Sequence, residues 1–300
     1  MRILVWNCKM ALSRKRQPLY TLGADIAVIP ECAKKCVDLC IEDGFDGCWF
    51  GENPNKGLGV LIRKPWRIAR IGKVCNRWVV PVSIVGGSFD FLLIAVWTTL
   101  IRGNLERSYI GQISEAVLQN PRWFAKNKVI IAGDFNSNTR WDGKRELHSH
   151  SRLVRQLEKH GLISSYHQFF SEAQACETRQ TYYQWHHREP AFHIDYIFIP
   201  ECWATQMKSV EVGEYDVWSK LSDHVPLTVD MHENSGGLNR SMQHSSRTRL
   251  TLKTKVKSLV RVRSAGTLPW LGFDRRQPNR SLLPGKHCRI NVLDGVASTG

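Results

Sequence analysis

The chain has 300 residues, of which 42% are hydrophobic, so it can bury a sizeable core. Its 42 basic and 27 acidic residues give a formal net charge of +15, which favours an anionic partner. No apolar run is long enough to span a bilayer and "MRILVWNCKM" is not a secretory signal, so we expect a cytoplasmic protein without membrane contact.

Short apolar runs bounded by turn residues predict buried strands. In chain order these runs are RILVW, DIAVIPE, GLGVLIRK, WRIARIGK, RWVVPVSIV, DFLLIAVWTT, KVIIAGDFN, FHIDYIFIP, KSVEVG and VPLTVDM. The four runs from GLGVLIRK to DFLLIAVWTT have no helical pattern between them, so we expect them to be antiparallel neighbours.

Helices are predicted at four places between these strands. They are KMALSRKRQPLYTLG, CAKKCVDLCIEDG, the apolar stripe from Leu105 to Val117, and a segment capped by Ser149 or Ser151 that ends at Gly161. Cysteines 32, 36 and 40 are interpreted as small buried residues of one helix face rather than metal ligands. The order of elements predicts a mixed α/β fold of two sheets packed face to face, with helices outside.

The last 68 residues differ from the rest of the chain. Residues 233–300 contain 13 Lys and Arg but only 3 Asp and Glu, and they are rich in serine without clear amphipathic periodicity. We therefore predict a folded catalytic domain over residues 1–232 and a basic, mostly disordered tail over residues 233–300.

Polar side chains end or border five of the predicted strands. They are Asn7, Glu31, Asp134 with Asn136, His193 with Asp195, and Asp223 with His224. Any one of them has a structural explanation as a turn or cap residue. Five such places together favour a functional site, because strand ends in α/β folds hold side chains rigidly at the surface.

In this combination the sequence resembles the endonuclease/exonuclease/phosphatase superfamily, which has the DNase I-like fold. The resemblance covers about residues 1–231, and GDFN followed later by SDH is its most specific feature. The matching segments are WN at 6–7, PE at 30–31, GDFN at 133–136, HIDY at 193–196 and SDH at 222–224. The runs HSRLVRQLEKHGL and HIDYIFIP look most like an uncharacterised bacterial branch.

The resemblance implies a four-layer α/β sandwich of two largely antiparallel mixed sheets, and metal-dependent hydrolysis of phosphate esters. It implies that Glu31 is the principal ligand of Mg²⁺, or of Mn²⁺, with Asn7 and Asp223 beside the metal.

The resemblance also implies the catalytic roles. Asp134 would orient or deprotonate the attacking water, and Asn136 would hold the phosphate. His224 would face the scissile phosphate, and Asp195 would orient its imidazole. A His–Asp pair of this kind fixes the tautomer and favours the imidazolium.

Two residues depart from the pattern of the superfamily. Trp97 stands where a tyrosine or histidine is common, and Lys9 stands where abasic-site endonucleases carry Asp or Asn. Both departures argue against an abasic-site enzyme but leave the hydrolytic residues intact. We expect Trp97, Lys9 and His193 to contact the substrate.

The segment YYQWHHRE adds aromatic and imidazole groups before His193. One of His186 and His187 is interpreted as a residue at the rim of the site that contacts substrate rather than as a zinc ligand. The rings of Tyr182, Tyr183 and Trp185 could stack on a base or sugar, or could pack in the core.

These features predict a nuclease that hydrolyses phosphodiester bonds in nucleic acid, with no protein partner implied. Two alternatives stay open. One is a phosphatase or phosphodiesterase for a small phosphorylated metabolite or lipid head group. The other is a non-catalytic nucleic-acid-binding protein on the same scaffold, although all the expected catalytic positions are filled.

Overall fold

The computed structural model describes residues 1–74, 78–87, 90–104, 108–126, 128–143 and 148–232. The predicted basic tail lies outside these residues, as does Leu105 of the predicted third helix. Within the described ranges, every helix is too short or too polar to span a bilayer.

Fourteen strands lie within the described residues. They are β1 (Arg2–Val5), β2 (Ile26–Cys32), β3 (Asp46–Asn53), β4 (Lys56–Ile62), β5 (Arg67–Ile71), β6 (Val79–Val85), β7 (Phe91–Trp97), β8 (Val129–Asp134), β9 (Leu162–Ser164), β10 (Tyr182–Tyr183), β11 (Ala191–Phe192), β12 (Asp195–Pro200), β13 (Met207–Val212) and β14 (Leu227–Met231).

Seven α-helices and several 3₁₀ turns connect the described strands. The helices are α1 (Arg16–Thr21), α2 (Lys34–Glu42), α3 (Ile110–Gln119), α4 (Arg122–Lys126), α5 (His150–Lys159), α6 (Ser165–Phe170) and α7 (Tyr215–Trp218). One of the 3₁₀ turns covers Gln184–His186.

Two six-stranded sheets pack face to face. The first has the order β13-β14-β1-β2-β4-β3 and the second the order β5-β6-β7-β8-β12-β9, while β10 and β11 form a separate pair. The pairs β1–β2 and β7–β8 are parallel, and the other pairings are antiparallel. One apolar cluster joins the inner faces of both sheets.

Helices cover the outer faces of the two sheets. The apolar stripe of α3 and the face of α5 pack on the second sheet, while α1 and α2 pack on the first. The arrangement of helix, sheet, sheet and helix confirms the predicted four-layer α/β sandwich. The buried thiols of Cys36 and Cys40 lie on α2, whereas the buried Cys32 belongs to β2 and not to the helix.

The prediction for α5 is confirmed at both ends. The Oγ of Ser149 accepts a hydrogen bond from the backbone N–H of Arg152 at 3.2 Å and caps the helix. Ser151, the other candidate, instead donates to Asp142. The helix ends just before Gly161, whose φ of 70° suits the left-handed conformation that follows a helix.

Strand β3 was not predicted, because its sequence DGCWFGEN lies half-exposed at the edge of the first sheet and shows no alternation of buried and exposed residues. It forms a hairpin with β4. The expected antiparallel order of four successive strands is wrong at one step, because β4 lies in the first sheet and β5 in the second. The chain changes sheets between them.

Gly133 lies in β8, directly opposite Val96 of the parallel strand β7. A Cβ atom at position 133 would collide with the carbonyl oxygen of Val96, and the φ of 147° is one that L side chains rarely adopt. The glycine therefore allows β8 to pair closely with β7 and to deliver the next residue, Asp134, to the end of the sheet.

Replacement of Gly133 by alanine is expected to lower the free energy of unfolding by at least about 3 kcal/mol, from backbone strain and overpacking together. The matched control is Gly143→Ala, because a Cβ there meets nothing within 4 Å and the residue has ordinary φ. Urea unfolding of both variants tests this. Equal stability of Gly133→Ala and Gly143→Ala would contradict it.

Candidate active site

The polar strand ends meet at one edge of the two packed sheets. Asn7 follows β1, and Glu31 lies near the end of the parallel neighbour β2. In the second sheet, Asp134 ends β8 and is paired directly with Asp195, which begins the antiparallel strand β12. The loop that carries Asp223 and His224 leads into β14, whose first residue pairs with the last residue of β1. Both sheets therefore contribute to one site.

Three amide donors hold the carboxylate of Asp134, which is fully buried. The backbone N–H of Asn136 donates to Oδ1 at 2.8 Å. The side-chain amides of Asn7 and Asn136 each donate to Oδ2 at 2.9 Å. The carboxylate is thus fixed in position before any substrate arrives, as a pre-organised site requires.

The predicted contact of Asn136 with phosphate requires an amide group that points away from the protein. The amide group of Asn136 instead points inward. Its Nδ2 donates to Asp134 and also, at 3.0 Å, to the backbone carbonyl of Thr98. Both amide hydrogens are therefore used inside the protein. The structure places Asn136 as a residue that positions Asp134.

His224 lies between the two buried carboxylates. Its Nδ1 is 2.8 Å from Oδ2 of Asp195, and its Nε2 is 4.0 Å from Oδ2 of Asp134. The first distance is a hydrogen bond, whereas the second is too long for one, so the Nε2 edge faces Asp134 across a gap. The ring of Tyr182 packs on the imidazole and covers it, with the two ring centroids 4.8 Å apart.

Hydrogen bonds join the residues that follow β1 to the loop that carries His224 and precedes β14. The indole N–H of Trp6 donates to the carbonyl of His224 at 3.0 Å. The hydroxyl of Ser222 donates to the carbonyl of Asn7 at 2.8 Å and accepts from the backbone N–H of His224 at 3.1 Å. These bonds leave the imidazole little freedom to move relative to Asn7.

Burial and mutual charge shift the pKa values in this cluster. Burial raises the pKa of Asp134, and the neighbouring Asp195 carboxylate raises it further, so it lies well above its usual range. Burial alone would lower the pKa of His224, but the two carboxylates, Asp195 foremost, raise it to about 9. The imidazole is therefore cationic at neutral pH.

Asp134, Asp195 and His224 form the one group of three acidic, histidine or cysteine side chains with ligand atoms within 4.8 Å, among the residues that the structure describes. Oδ1 of Asp195 is buried and has no hydrogen-bond partner within that same part of the chain. Buried carboxylate oxygens without a partner are rare and mark a functional strain or a missing ligand.

Two carboxylates at the open rim of the site each face a lysine. Oε2 of Glu31 is 3.1 Å from Nζ of Lys56, and Oδ2 of Asp223 is 2.8 Å from Nζ of Lys9. Nζ of Lys9 also lies 3.0 Å from Nε2 of His186, which agrees with the interpretation of this histidine as a rim residue.

The backbone is strained at several of these residues. Lys9, Glu31 and Asn136 have φ values of 46°, 59° and 45°, in the left-handed region that non-glycine residues seldom occupy. Each such residue costs roughly 1–3 kcal/mol and persists only where the surroundings hold it, which is common at functional sites.

Two of the predicted substrate-binding residues lie below the surface. Trp97 is almost buried, stacked on Trp78 with ring centroids 5.9 Å apart, and Nζ of Lys56 lies 5.5 Å from its ring. His193 is fully buried against Tyr166, with centroids 4.2 Å apart. The predicted contact of His193 with substrate is contradicted, because its ring has no exposed surface.

Lys56 and the packing of Tyr182 on His224 are absent from the site that the sequence predicts. Lys56 begins β4 just after the turn at Pro54 and Asn55, so the turn residues were a signal for a hairpin that brings it back towards β2. No local pattern indicated that its ammonium group would meet Glu31.

A model of the Endonuclease/Exonuclease/phosphatase family matches residues 6–224 of the chain. This range contains every residue of the site, from Asn7 to His224. Comparison with curated proteins gave no match.

The solved structures with the same fold include three differently named proteins. The 3'-5' exonuclease NExo from Neisseria meningitidis is 18% identical and covers 77% of this chain and 99% of its own, with a TM-score of 0.56. An AP endonuclease from Archaeoglobus fulgidus is 13% identical, with coverage of 77% and 99% and a TM-score of 0.57. TDP2 from Caenorhabditis elegans is 12% identical, with coverage of 76% and 73% and a TM-score of 0.55. At these identities the likeness establishes the fold.

The stability of the protein is expected to fall below neutral pH because of His150, which lies buried behind the site beside Phe135 and Tyr196. Burial lowers the pKa of His150 from 6.5 to about 4. The unfolded chain therefore takes up the proton first, and about 3 kcal/mol of stability is lost as the pH falls from 6.5 to 4.

Urea unfolding at several pH values measures this loss. His150→Phe should flatten the pH dependence, and His187→Phe, at an exposed position, should not. The prediction fails if the wild type and His150→Phe lose stability in parallel between these pH values.

Proposed function

The chain belongs to the Endonuclease/Exonuclease/phosphatase family, and we propose that it is a metal-dependent phosphoesterase that hydrolyses phosphodiester bonds in nucleic acid. The observation that carries the proposal is the buried arrangement of Asp134, His224 and Asp195 where the two sheets meet. It combines a fixed carboxylate with a fixed imidazolium, which are the groups that water attack on a phosphate ester needs.

Asp134 is the group that orients the attacking water and accepts its proton. Its raised pKa makes it a stronger base than an exposed carboxylate, and the amides of Asn7 and Asn136 keep its oxygens in place. As the oxygen of water bonds to phosphorus, the ester bond on the opposite side breaks, and the leaving oxygen departs with the electron pair.

The positive charge of His224 stabilises the negative charge that develops on the phosphate oxygens during the reaction. Asp195 accepts a hydrogen bond from Nδ1–H, which directs Nε2–H towards the gap beside Asp134. Since the carboxylates raise the pKa of the imidazole to about 9, this charge is present at neutral pH. A pre-organised charge in a buried site stabilises the transition state more than the same charge in water.

Glu31 and Asp223 are the residues that we propose to hold the divalent cation, with Asn7 close by. Both carboxylates are partly exposed at the rim and already face a cationic ammonium group, so their surroundings favour positive charge. Mg²⁺ and Mn²⁺ prefer oxygen ligands and keep several water molecules, which a half-open rim allows and the fully buried cluster does not. When bound there, the ion would add positive charge beside the phosphate.

Nucleic acid is proposed as the substrate from the charge of the chain and from its structural relatives. The formal net charge of +15 favours a polyanion. Lys9 places a further cation at the rim, next to Asp223. The similar structures include a 3'-5' exonuclease and an AP endonuclease, whose substrates are nucleic acids.

Hydrolysis is expected to require a divalent metal and Glu31. The protein with Mg²⁺ or Mn²⁺ should cleave at least one of plasmid, single-stranded, abasic or RNA substrates, and EDTA should abolish this activity. Glu31→Gln keeps the shape of the side chain but removes its charge, so it should need far more Mg²⁺ for half-maximal activity.

Metal titrations of activity and of binding by calorimetry measure this change. Glu42→Gln is the matched control, because Glu42 is an exposed glutamate at the end of α2. Full activity of Glu31→Gln at low Mg²⁺ would remove Glu31 from the metal site. If the protein cleaved phosphorylated metabolites but no nucleic acid, the proposed substrate would be wrong.

Asp134→Asn is expected to lower turnover by a factor of about 10²–10⁴, because the variant cannot accept the proton of water. Some loss of stability accompanies it, since an amide nitrogen must face the donors of Asn7 or Asn136. Phe135→Ala is the opposite control: this fully buried ring packs on Phe198, so stability should fall by about 3–5 kcal/mol.

Thermal melts combined with turnover per folded molecule separate the two effects. Phe135→Ala should retain its turnover at temperatures where it is folded. If Asp134→Asn destabilises the protein but leaves turnover per folded molecule unchanged, then the aspartate has a structural role only.

A further inference from the structure

Trp185 is the most exposed large hydrophobic side chain among the described residues, with 71% of its surface accessible. The two other aromatic residues of its segment are half-buried: Tyr182 packs 4.8 Å from His224, and Tyr183 packs 4.7 Å from Tyr215. Core packing therefore explains the tyrosines but not Trp185. An exposed indole costs hydrophobic free energy unless something covers it.

The backbone presents this indole in a strained turn. Trp185 has φ 54° and ψ 27°, and His186 has φ 60°, so two successive non-glycine residues are left-handed. Such residues are costly, and a flexible surface loop would relax instead. The strain therefore implies that the rest of the structure holds the turn in place.

Hydrogen bonds on both sides hold the turn. The hydroxyl of Tyr215 donates to the carbonyl of His186 at 2.6 Å, and Nδ1 of His186 donates to the carbonyl of Ser219 at 2.7 Å. At its two ends, the backbone N–H of Gln184 donates to the carbonyl of Pro190 at 3.2 Å, and that of His187 to the carbonyl of Gln184 at 3.0 Å. The backbone that carries Trp185 is thus held in place.

The same turn is joined to the candidate active site. Because Nδ1 of His186 donates to a carbonyl, Nε2 accepts from the ammonium group of Lys9 at 3.0 Å. That ammonium group also contacts Asp223 at 2.8 Å. Trp185 is therefore the direct neighbour in the chain of a residue that touches the rim of the site.

A second exposed apolar residue is the chain neighbour of Lys9, the other member of the Lys9–His186 contact. Met10 follows Lys9, is 44% accessible and has φ 61°. In each of two left-handed turns, an exposed apolar residue is thus the direct chain neighbour of one member of the Lys9–His186 pair. A cation whose own neighbour in the chain and whose partner's neighbour are exposed and apolar matches a nucleotide, which has an anionic phosphate and a flat apolar base.

We propose that Trp185 stacks on an unpaired nucleobase next to the scissile phosphate, with Lys9 on the backbone phosphate and Met10 beside the same nucleotide. The proposal rests on the proposed function and narrows it to single-stranded or locally unpaired nucleic acid. Bases in a duplex already stack on their neighbours and offer no free face to the indole, so an exposed indole on a fixed turn selects for an unpaired strand.

The test compares Trp185→Ala and Trp185→Phe with wild type on three labelled oligomers of equal length: a single strand, a duplex, and a strand of abasic sugar-phosphate units. Binding is measured by fluorescence anisotropy in EDTA, and hydrolysis with Mg²⁺. Leu118→Ala is the control for loss of an exposed apolar side chain, since Leu118 is 66% accessible on the outer helix α3.

Trp185→Ala should bind the single strand about 5- to 150-fold more weakly than wild type, and Trp185→Phe should restore most of the affinity. Neither variant should change binding of the abasic strand, and the preference of wild type for the single strand over the duplex should shrink in Trp185→Ala. Leu118→Ala should behave as wild type on all three oligomers.

If Trp185→Ala fails to fold, the test can be made with wild type alone, by a scan in which each single strand carries one abasic unit at a different position. Abasic units placed one at a time along the single strand should weaken binding most at one position beside the cleaved bond.

Two results with the variant would overturn the inference while leaving the nuclease function intact: equal affinity of wild type and Trp185→Ala for the single strand, or equal loss on the single and abasic strands. A flat scan would also overturn it. If wild type hydrolyses no oligonucleotide, the proposed function and the inference both fail.

Discussion

The organisation of the site depends on the burial of two carboxylates that face each other across a strand pair. Asp134 and Asp195 are paired in register between β8 and β12, and both are removed from water. Buried charges of like sign are costly unless donors and an opposite charge compensate them. The imidazolium of His224 supplies the opposite charge, and the amides of Asn7 and Asn136 supply the donors. Because Asn7 and His224 come from the first sheet, satisfying these carboxylates also holds the two sheets together at this edge.

The site has a dry interior and a wetter rim with different chemistry. Inside, Asp134 and Asp195 are fully buried, and they accept hydrogen bonds from the amides of Asn7 and Asn136 and from the imidazole of His224. At the rim, Glu31 and Asp223 are partly exposed and pair with flexible lysines, which an incoming ion or phosphate can displace. The interior therefore suits proton transfer and charge stabilisation, and the rim suits exchangeable ligands. The same rim connects through Lys9 to the rigid turn that carries Trp185.

Much of this site was predictable from the sequence, because polar residues directly after buried strands must come to the ends of a sheet. The segments GDFN and SDH predicted polar residues at strand ends, and in the structure Asp134 ends β8 and His224 precedes β14. Between Asp134 and Asn136, Phe135 turns into the core, as the alternation of side chains along an extended chain requires. The helix boundaries of α5 followed from its cap and its terminal glycine. These features are local, since each depends on a few neighbouring residues and their backbone conformation.

Tertiary structure alone decided which way the polar groups point and how deep they lie. The amide of Asn136 turns inward because Asp134 and the carbonyl of Thr98 need its two hydrogens. His193, two residues before Asp195, is buried on Tyr166, and Lys56 reaches Glu31 from a hairpin whose first strand has no periodic pattern. Hydrogen-bond direction and burial depend on partners far away in the chain, which no local pattern records. The sequence by itself therefore determined the identity and the strand positions of the candidate site residues, and only the packing of the two sheets decided their contacts.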